Sequence, residues 1–515
     1  MSSNVNDEVV RYGNLREPRM PGLGRLSFGA SVFLVLAAVI VMGLCLVNLW
    51  AALAWAVFAI LAAAPTAFPT KDGYRRYQLL WRRRRAAGAR RSGQNVLQQG
   101  IAGAVPDGAC RLPGVAASTE LTSHTDMHGR SFGLIHWPHA DLYSVALHLT
   151  PSGFAGVDKR VRGDYVAHWA GWLGQLNTME DIVGAAVVVE TVPDSGHRLE
   201  RAMERGRAAD DAVPEFARLV EEEIRSASRV GSPTLSCRAT ITLSARVEDG
   251  DQTMVRPLAE MAEQIGDLLP AWTNSLAATG AGTRVRPCTA QEITDYTRVA
   301  FDPSVAEDVE EAQLAAAAGE GEGTGLVWSE AGPIFHEVQP DTYVHETALS
   351  RTWQMKHPPR GVFFAETMQR LLEPHRDIVR KRVALLYRPE TPEASANAAD
   401  ADVKKALFKM SQNKRARAGA EIDLEAARLT ARQEAQGSPL VRVAVVVTVS
   451  AFDHESLRRG ARAVRSSLAA QARIGLRVPI GSQDTAFLTG MPLGLVPQQI
   501  TRVTRKAKST DKDVA

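Results

Sequence analysis

From Leu26 to Thr70 the chain carries no Asp, Glu, Lys, Arg or His, a run of 45 residues. One membrane span needs roughly 20. The run divides at Leu46-Val47-Asn48-Leu49-Trp50 and predicts two helices, at about 27–46 and 50–67, with Asn48 in the turn and Pro65 and Pro69 closing the second. A secretory leader would be one shorter apolar block ending in a small-residue cleavage site. Basic residues flank both ends, with Arg11, Arg16, Arg19 and Arg25 before the run and Lys71, Arg75, Arg76, Arg82–Arg85, Arg90 and Arg91 after it. Such flanks predict a transmembrane hairpin (26–70) in the cell membrane, multi-pass with both termini cytoplasmic. An N-terminal tail (1–25) precedes it and a basic juxtamembrane and linker segment (71–130) follows. In that segment Tyr74, Tyr77 and Trp81 suit the headgroup layer, and the arginines suit anionic membrane lipids.

Beyond 130 the pattern alternates between strand and helix. Residues 132–137 and 142–149 read as a hairpin, and 158–177 as a helix with Val166, Trp169, Ala170, Leu173 and Leu176 on one face. A strand follows at 182–192, then a charged helical stretch at 198–229 interrupted near Pro214. From Leu235 every second residue is apolar (Leu235, Cys237, Ala239, Ile241, Leu243, Ala245, Val247), so this strand has one buried face and one face read as wet. A helix at 254–278 and a short strand at 284–286 close a first α/β subdomain, 131–300. The acidic and then Gly-rich segment 301–330 reads as a linker. A second α/β subdomain, 331–497, is predicted to hold strands at 341–355, 379–387 and 440–450, helices at 361–372 and 453–473, and a long polar helix at 397–436. The predicted class is α/β (α+β): a two-helix transmembrane hairpin followed by two cytoplasmic subdomains, the second ferredoxin-like with the 397–436 helix as its insertion. The tail 498–515 is polar and predicted to be disordered.

Composition adds little: 45% hydrophobic residues, 23% charged residues and a net charge of +3 give no global attraction to nucleic acid. Cys45, Cys110, Cys237 and Cys288 have no metal-ligand spacing and read as reduced thiols. A phosphate-binding loop needs glycines ending in Gly-Lys-Ser/Thr. Gly280-Ala281-Gly282-Thr283 and Gly319–Gly325 lack the lysine and read as loops. His345-Glu346 lacks the second histidine of a zinc peptidase helix, and His336, His345, His357 and His375 are dispersed. No Gly-x-Ser-x-Gly elbow occurs. The basic cluster Lys404, Lys405, Lys409, Lys414, Arg415 and Arg417 is balanced by Glu421, Asp423, Glu425 and Glu434, so direct nucleic-acid contact is not supported. No catalytic, cofactor-binding or metal residue is predicted.

The strings Asp341-Thr342-Tyr343-Val344-His345, Ser350-Arg351-Thr352-Trp353-Gln354-Met355, Pro358-Pro359-Arg360-Gly361 and Arg382–Pro389 resemble a membrane protein family of actinobacterial conjugation loci. From there to Phe487-Leu488-Thr489-Gly490-Met491-Pro492-Leu493-Gly494 the order resembles the N-terminal domain of type IV secretion conjugation ATPases, without the motor. The hairpin is similar to the two-span PrgI-type subunit. These resemblances imply a non-catalytic inner-membrane scaffold of a conjugative, type IV-like secretion system, oligomeric within a complex of other membrane subunits, that docks a separate transport ATPase. An EccE-like component of type VII secretion has a similar architecture. A membrane-anchored enzyme with an unrecognised site is the reading of another class.

Overall fold

The structure, a computed structural model, describes residues 28–67 and 74–500 apart from 102, 104–107, 152, 154–155, 207–213, 229–232, 250–251, 283, 360–365, 413–416 and 438–439. The expected tails, Pro69, Arg360-Gly361 and Lys414-Arg415 lie outside the described residues.

Helices α1 (Phe28–Cys45) and α2 (Leu49–Ala67) pack together, with Ala37, Ala52 and Ala59 buried. The Trp50 amide donates to Asn48 Oδ1 at 2.9 Å, which starts α2 sharply. Among the described residues no helix is long and apolar enough to cross a membrane. This finding overturns the expected transmembrane hairpin, and with it the multi-pass cell-membrane localisation. Helices α1 and α2, of 18 and 19 residues, rise about 27 and 28 Å, short of the roughly 30 Å of hydrocarbon. Nor does Tyr74 reach for a headgroup layer: it is buried, and its hydroxyl donates to the Val478 carbonyl at 2.9 Å. The arginine-rich α3 (Arg76–Arg91) follows, with Arg82 stacked 5.0 Å over the Tyr74 ring.

The chain then runs through β1 (Val96–Gln98), β2 (Glu120–Thr125), β3 (Ser131–Trp137), β4 (Leu142–Leu149), α4 (Lys159–Thr178) and β5 (Ile182–Pro193). An arm of α5 (His197–Gly206) and α6 (Glu215–Ser228) leads to β6 (Pro233–Ser244) and the small hairpin β7 (Arg246–Asp249) and β8 (Gln252–Val255). Next come α7 (Leu258–Leu276), β9 (Arg286–Pro287), α8 (Ala290–Phe301) and α9 (Ala306–Ala318). The second half holds β10 (Phe335–Val338), β11 (Tyr343–His345), β12 (Ala348–His357), α10 (Glu366–Leu372) and β13 (Arg380–Pro389). Its arm is α11 (Pro392–Gln412) and α12 (Arg417–Ala435), followed by β14 (Val441–Ala451), α13 (His454–Ala463), α14 (Ala469–Gln471), β15 (Gly475–Arg477) and α15 (Gln483–Thr489).

Among the described residues thirteen strands form one antiparallel sheet, ordered β1-β10-β11-β12-β14-β13-β5-β6-β4-β3-β2, with β15 beside β12 and β9 beside β4. The protein is therefore mixed helix and one large antiparallel sheet, which corrects the expected class. Strand–helix alternation reads as parallel crossovers, but β6 inserts between β4 and β5, and β14 between β12 and β13, so every neighbour is antiparallel. Two other readings shift. The stretch read as a linker contains α9, and the long polar helix is two helices packed through Val403, Ala406, Leu424 and Ala427.

The two halves repeat one plan: hairpin, helix, strand, helical arm, strand, helix, short strand, helix. Strand β4 is flanked by β3, β9 and β6 as β12 is by β11, β15 and β14. The halves join where β5 meets β13, and the register pairs Val188 with Ala384. Counted back from the closing prolines, Pro193 and Pro389, these two residues occupy the same place in their own half. A local two-fold axis thus passes through that pair.

One sheet face is apolar and covered by helices. Trp172 and Leu176 of α4, with Ile265, Leu269 and Trp272 of α7, bury Val145, Leu147, Val187, Ile241 and Leu243. On the second half, Leu371 of α10 and Leu457 and Ala461 of α13 bury Trp353, Val383, Val447 and Val449. The other face carries α8, α15 and a strap, 490–496. Each half reaches over its partner. Arg298 of α8 grips Glu346 in the β11–β12 turn at 2.6 and 2.9 Å, and Thr242 Oγ1 of β6 donates to the strap's Gly494 carbonyl at 2.8 Å.

Gly494 has φ +73°, and a Cβ there would meet Ser144 Oγ at 2.4 Å and Thr242 Oγ1 at 2.5 Å. Gly494→Ala is expected to lower unfolding stability in urea by about 2–3 kcal/mol, the sum of a left-handed backbone and a clash. Gly437→Ala, at φ +90° in open space, isolates the backbone contribution at about 1 kcal/mol. Equal losses in the two variants would show that the strap is not tightly seated.

Candidate functional site

Because side chains alternate along a strand, the residues left over from the helix-covered face share the opposite one. Across five strands these are His148 (β4), Ser236 and Arg238 (β6), Glu190 (β5), Arg380 and Arg382 (β13), and Thr448 and Ser450 (β14). Helices α8 and α9 roof the first half of this face. Between sheet and roof lies a cleft of about 830 Å³, lined by both halves.

At its base Arg382 Nη2 donates to Glu190 Oε1 at 3.0 Å, and both side chains are almost wholly buried. The remaining Arg382 nitrogens, Nε and Nη1, meet no acceptor among the described residues. The guanidinium instead lies 5.5 Å from the Tyr296 ring and 5.3 Å from the Phe487 ring, whose π faces partly replace water. Burial pushes the Glu190 carboxyl up, but the charges of Arg382, Arg380 and Arg238 outweigh it and hold the group below its ordinary 4.5.

Three other carboxylates of the wall are also held by protein donors. Glu292 takes both Arg286 terminal nitrogens, at 2.6 and 2.8 Å, and Glu310 takes Arg198 Nε at 2.6 Å. Asp295 accepts from Gln291, Gln313 and Thr324. Two arginines of the wall have no carboxylate at ion-pair distance among the described residues. Arg238 Nη1 donates to Ser236 Oγ at 2.6 Å while its guanidinium stacks 4.2 Å over Tyr296. The buried Arg380 donates from Nη1 to the Val299 carbonyl at 3.2 Å. Beside them burial, with Arg238 and Arg286, pushes the His148 imidazole down to about 4.

The histidines singled out in the sequence separate. His336 and His345 are register partners on β10 and β11, tied through Tyr343: His336 Nδ1 lies 2.6 Å from its hydroxyl. His345 is fully buried, with Phe301 O at 2.5 Å from Nδ1 and Ser350 Oγ at 2.7 Å from Nε2. His357 ends β12, and His375 sits 3.9 Å from Asp377. Among the described residues no three metal-ligating side chains converge. Gly280 and Gly282 turn back against Tyr165 and Thr150, and Gly319 ends α9 in the left-handed region.

Sequence reasoning missed the cleft because no motif marks it. The signal present was Glu190 inside an otherwise apolar strand and three consecutive cations, Arg380-Lys381-Arg382, opening another. No family model and no curated protein matches this chain.

Proposed function

We propose that this chain is a non-catalytic docking subunit of a conjugative, type IV-like secretion apparatus, seating a separately encoded transport ATPase. What carries the reading is the helical arm inserted between paired strands in each half. Arm α11–α12 has its own seam at Ala406, Leu424 and Ala427, yet keeps Leu407, Phe408, Ile422 and Leu429 exposed. Arm α5–α6 exposes Phe216, Leu219, Val220 and Ile224, at the spacing of one helix face. Apolar stripes held away from a rigid sheet suit helix-in-groove or helix-on-helix docking. Of the strings that resemble the conjugation family, 343–345, 350–355 and 382–389 lie on β11, β12 and β13, the last of which leads into the α11–α12 arm.

The test is co-purification of the tagged full chain with the transport ATPase encoded beside it. Phe408→Asp with Ile422→Asp is expected to reduce capture at least tenfold while the circular dichroism spectrum is retained. Recovery of the folded chain with no ATPase, or undiminished capture by the double variant, would sink the reading.

A further inference from the structure

The charges in the cleft are not demanded by the fold, because the protein contains a second copy of the same plan without them. The local two-fold relates the Arg382–Glu190 pair to Ala186–Leu386, which also face each other across β5 and β13. It relates Arg238 to Val446, each paired with an axis residue, and Arg380 to Gly184. On the uncharged side the site is closed: a Cβ at Gly184 would meet Val496 of the strap at 2.8 Å. On the charged side it is open, at about 830 Å³. One copy has an apolar, filled face, and the other has buried cations and a cavity.

We propose that the cleft binds a small organic oxyanion, a phosphate ester or a carboxylate, through Arg380 and Arg238. Glu190, Glu292 and Glu310 are each paired with an arginine, Asp295 takes amide and hydroxyl donors, Asp194 accepts the Gly196 amide and Glu307 is exposed, whereas Arg380 and Arg238 face the cavity with no carboxylate at ion-pair distance among the described residues. Arg380 is 9% exposed, lines the cavity and has no ion-pair partner among the described residues. Desolvating a guanidinium without a counter-ion is unfavourable, and an entering anion removes that cost with short charge-assisted hydrogen bonds. Arg238, flattened on Tyr296, offers a second planar donor set, and the hydroxyls of Ser304, Thr234 and Ser450 line the same wall. The volume falls within the range of small-molecule sites. This inference does not depend on the docking reading.

Titration calorimetry of the full chain with inorganic phosphate, pyrophosphate and citrate tests it. Saturable binding of at least one is expected, and the preferred probe separates a phosphate from a carboxylate ligand. Arg380→Met and Arg238→Met are each expected to weaken that binding at least tenfold, whereas Arg388→Met, across the two-fold, leaves it unchanged. Should Arg380→Met fail to fold, Arg238→Met and the wild-type titration decide. No saturable binding of any probe, or wild-type binding by a folded Arg238→Met variant, overturns the proposal.

Discussion

Acidification from pH 6.5 towards 4 is expected to destabilise the fold by several kcal/mol. His336 and His345 are buried, and burial is the first cause that lowers both imidazoles from 6.5 to about 4. For His345 the Phe301 carbonyl opposes the shift and Arg382 reinforces it. Their folded values lie below the unfolded one, so between pH 4 and 6.5 the unfolded chain binds more protons. Stability is therefore complete above 6.5 and lost as pH falls through that window. Each shift corresponds to roughly 3 kcal/mol by linkage. His148, lowered likewise to about 4, is partly exposed and adds less because solvent screens it. Urea midpoints measured from pH 7.5 to 4.5 report the slope, and His336→Phe should reduce it by removing one titrating group. A flat stability profile across this range would contradict neutral burial of these rings.

That Arg238 faces a cleft was hidden by a rule that works elsewhere. Alternation in β6 located the strand, because Cys237, Ala239, Ile241 and Leu243 all enter the helix-covered core. The same alternation left Ser236, Arg238, Thr240 and Thr242 to be read as wet, yet Thr240 and Thr242 are buried beneath the second covering layer. Periodicity shows that two faces differ, and it does not say which of them water reaches. The covering elements lie far away in sequence: the 490–496 strap crosses from the other half, and Gly494 touches Ser144 and Thr242. Long-range closure of this kind leaves no local pattern. The join of β5 to β13 is equally silent, since nothing in either strand's sequence names the other as its neighbour. The apolar N-terminal run did mark helices α1 and α2, but its composition alone said membrane, which the helices of the described residues do not support.

The pair at the base of the cleft should dominate the response to mutation. Glu190→Leu removes the only carboxylate that Arg382 contacts among the described residues and strands a guanidinium already short of acceptors there. Breaking a buried pair from one side typically costs about 3–5 kcal/mol, because the remaining charge has neither water nor counter-ion. Burial and Glu190 act on Arg382 in opposite senses, and Glu190 together with Tyr296 holds its pKa above the ordinary value, so deprotonation offers no relief. The double variant Glu190→Leu with Arg382→Met is expected to recover most of the loss. The protein already supplies the precedent: across the two-fold, Ala186 and Leu386 fill the same places with no charge at all. Acid should mimic the single variant more gradually, since Glu190's depressed pKa gives stability that is present above 4.5 and lost as pH falls through its folded value. Urea unfolding of the wild type and the three variants (each single and the double) closes a mutant cycle. A Glu190→Leu chain as stable as wild type, or a double variant no better than the single, would mean that Arg382 reaches solvent. The cleft above it would then lack the low-dielectric base on which its ligand chemistry depends.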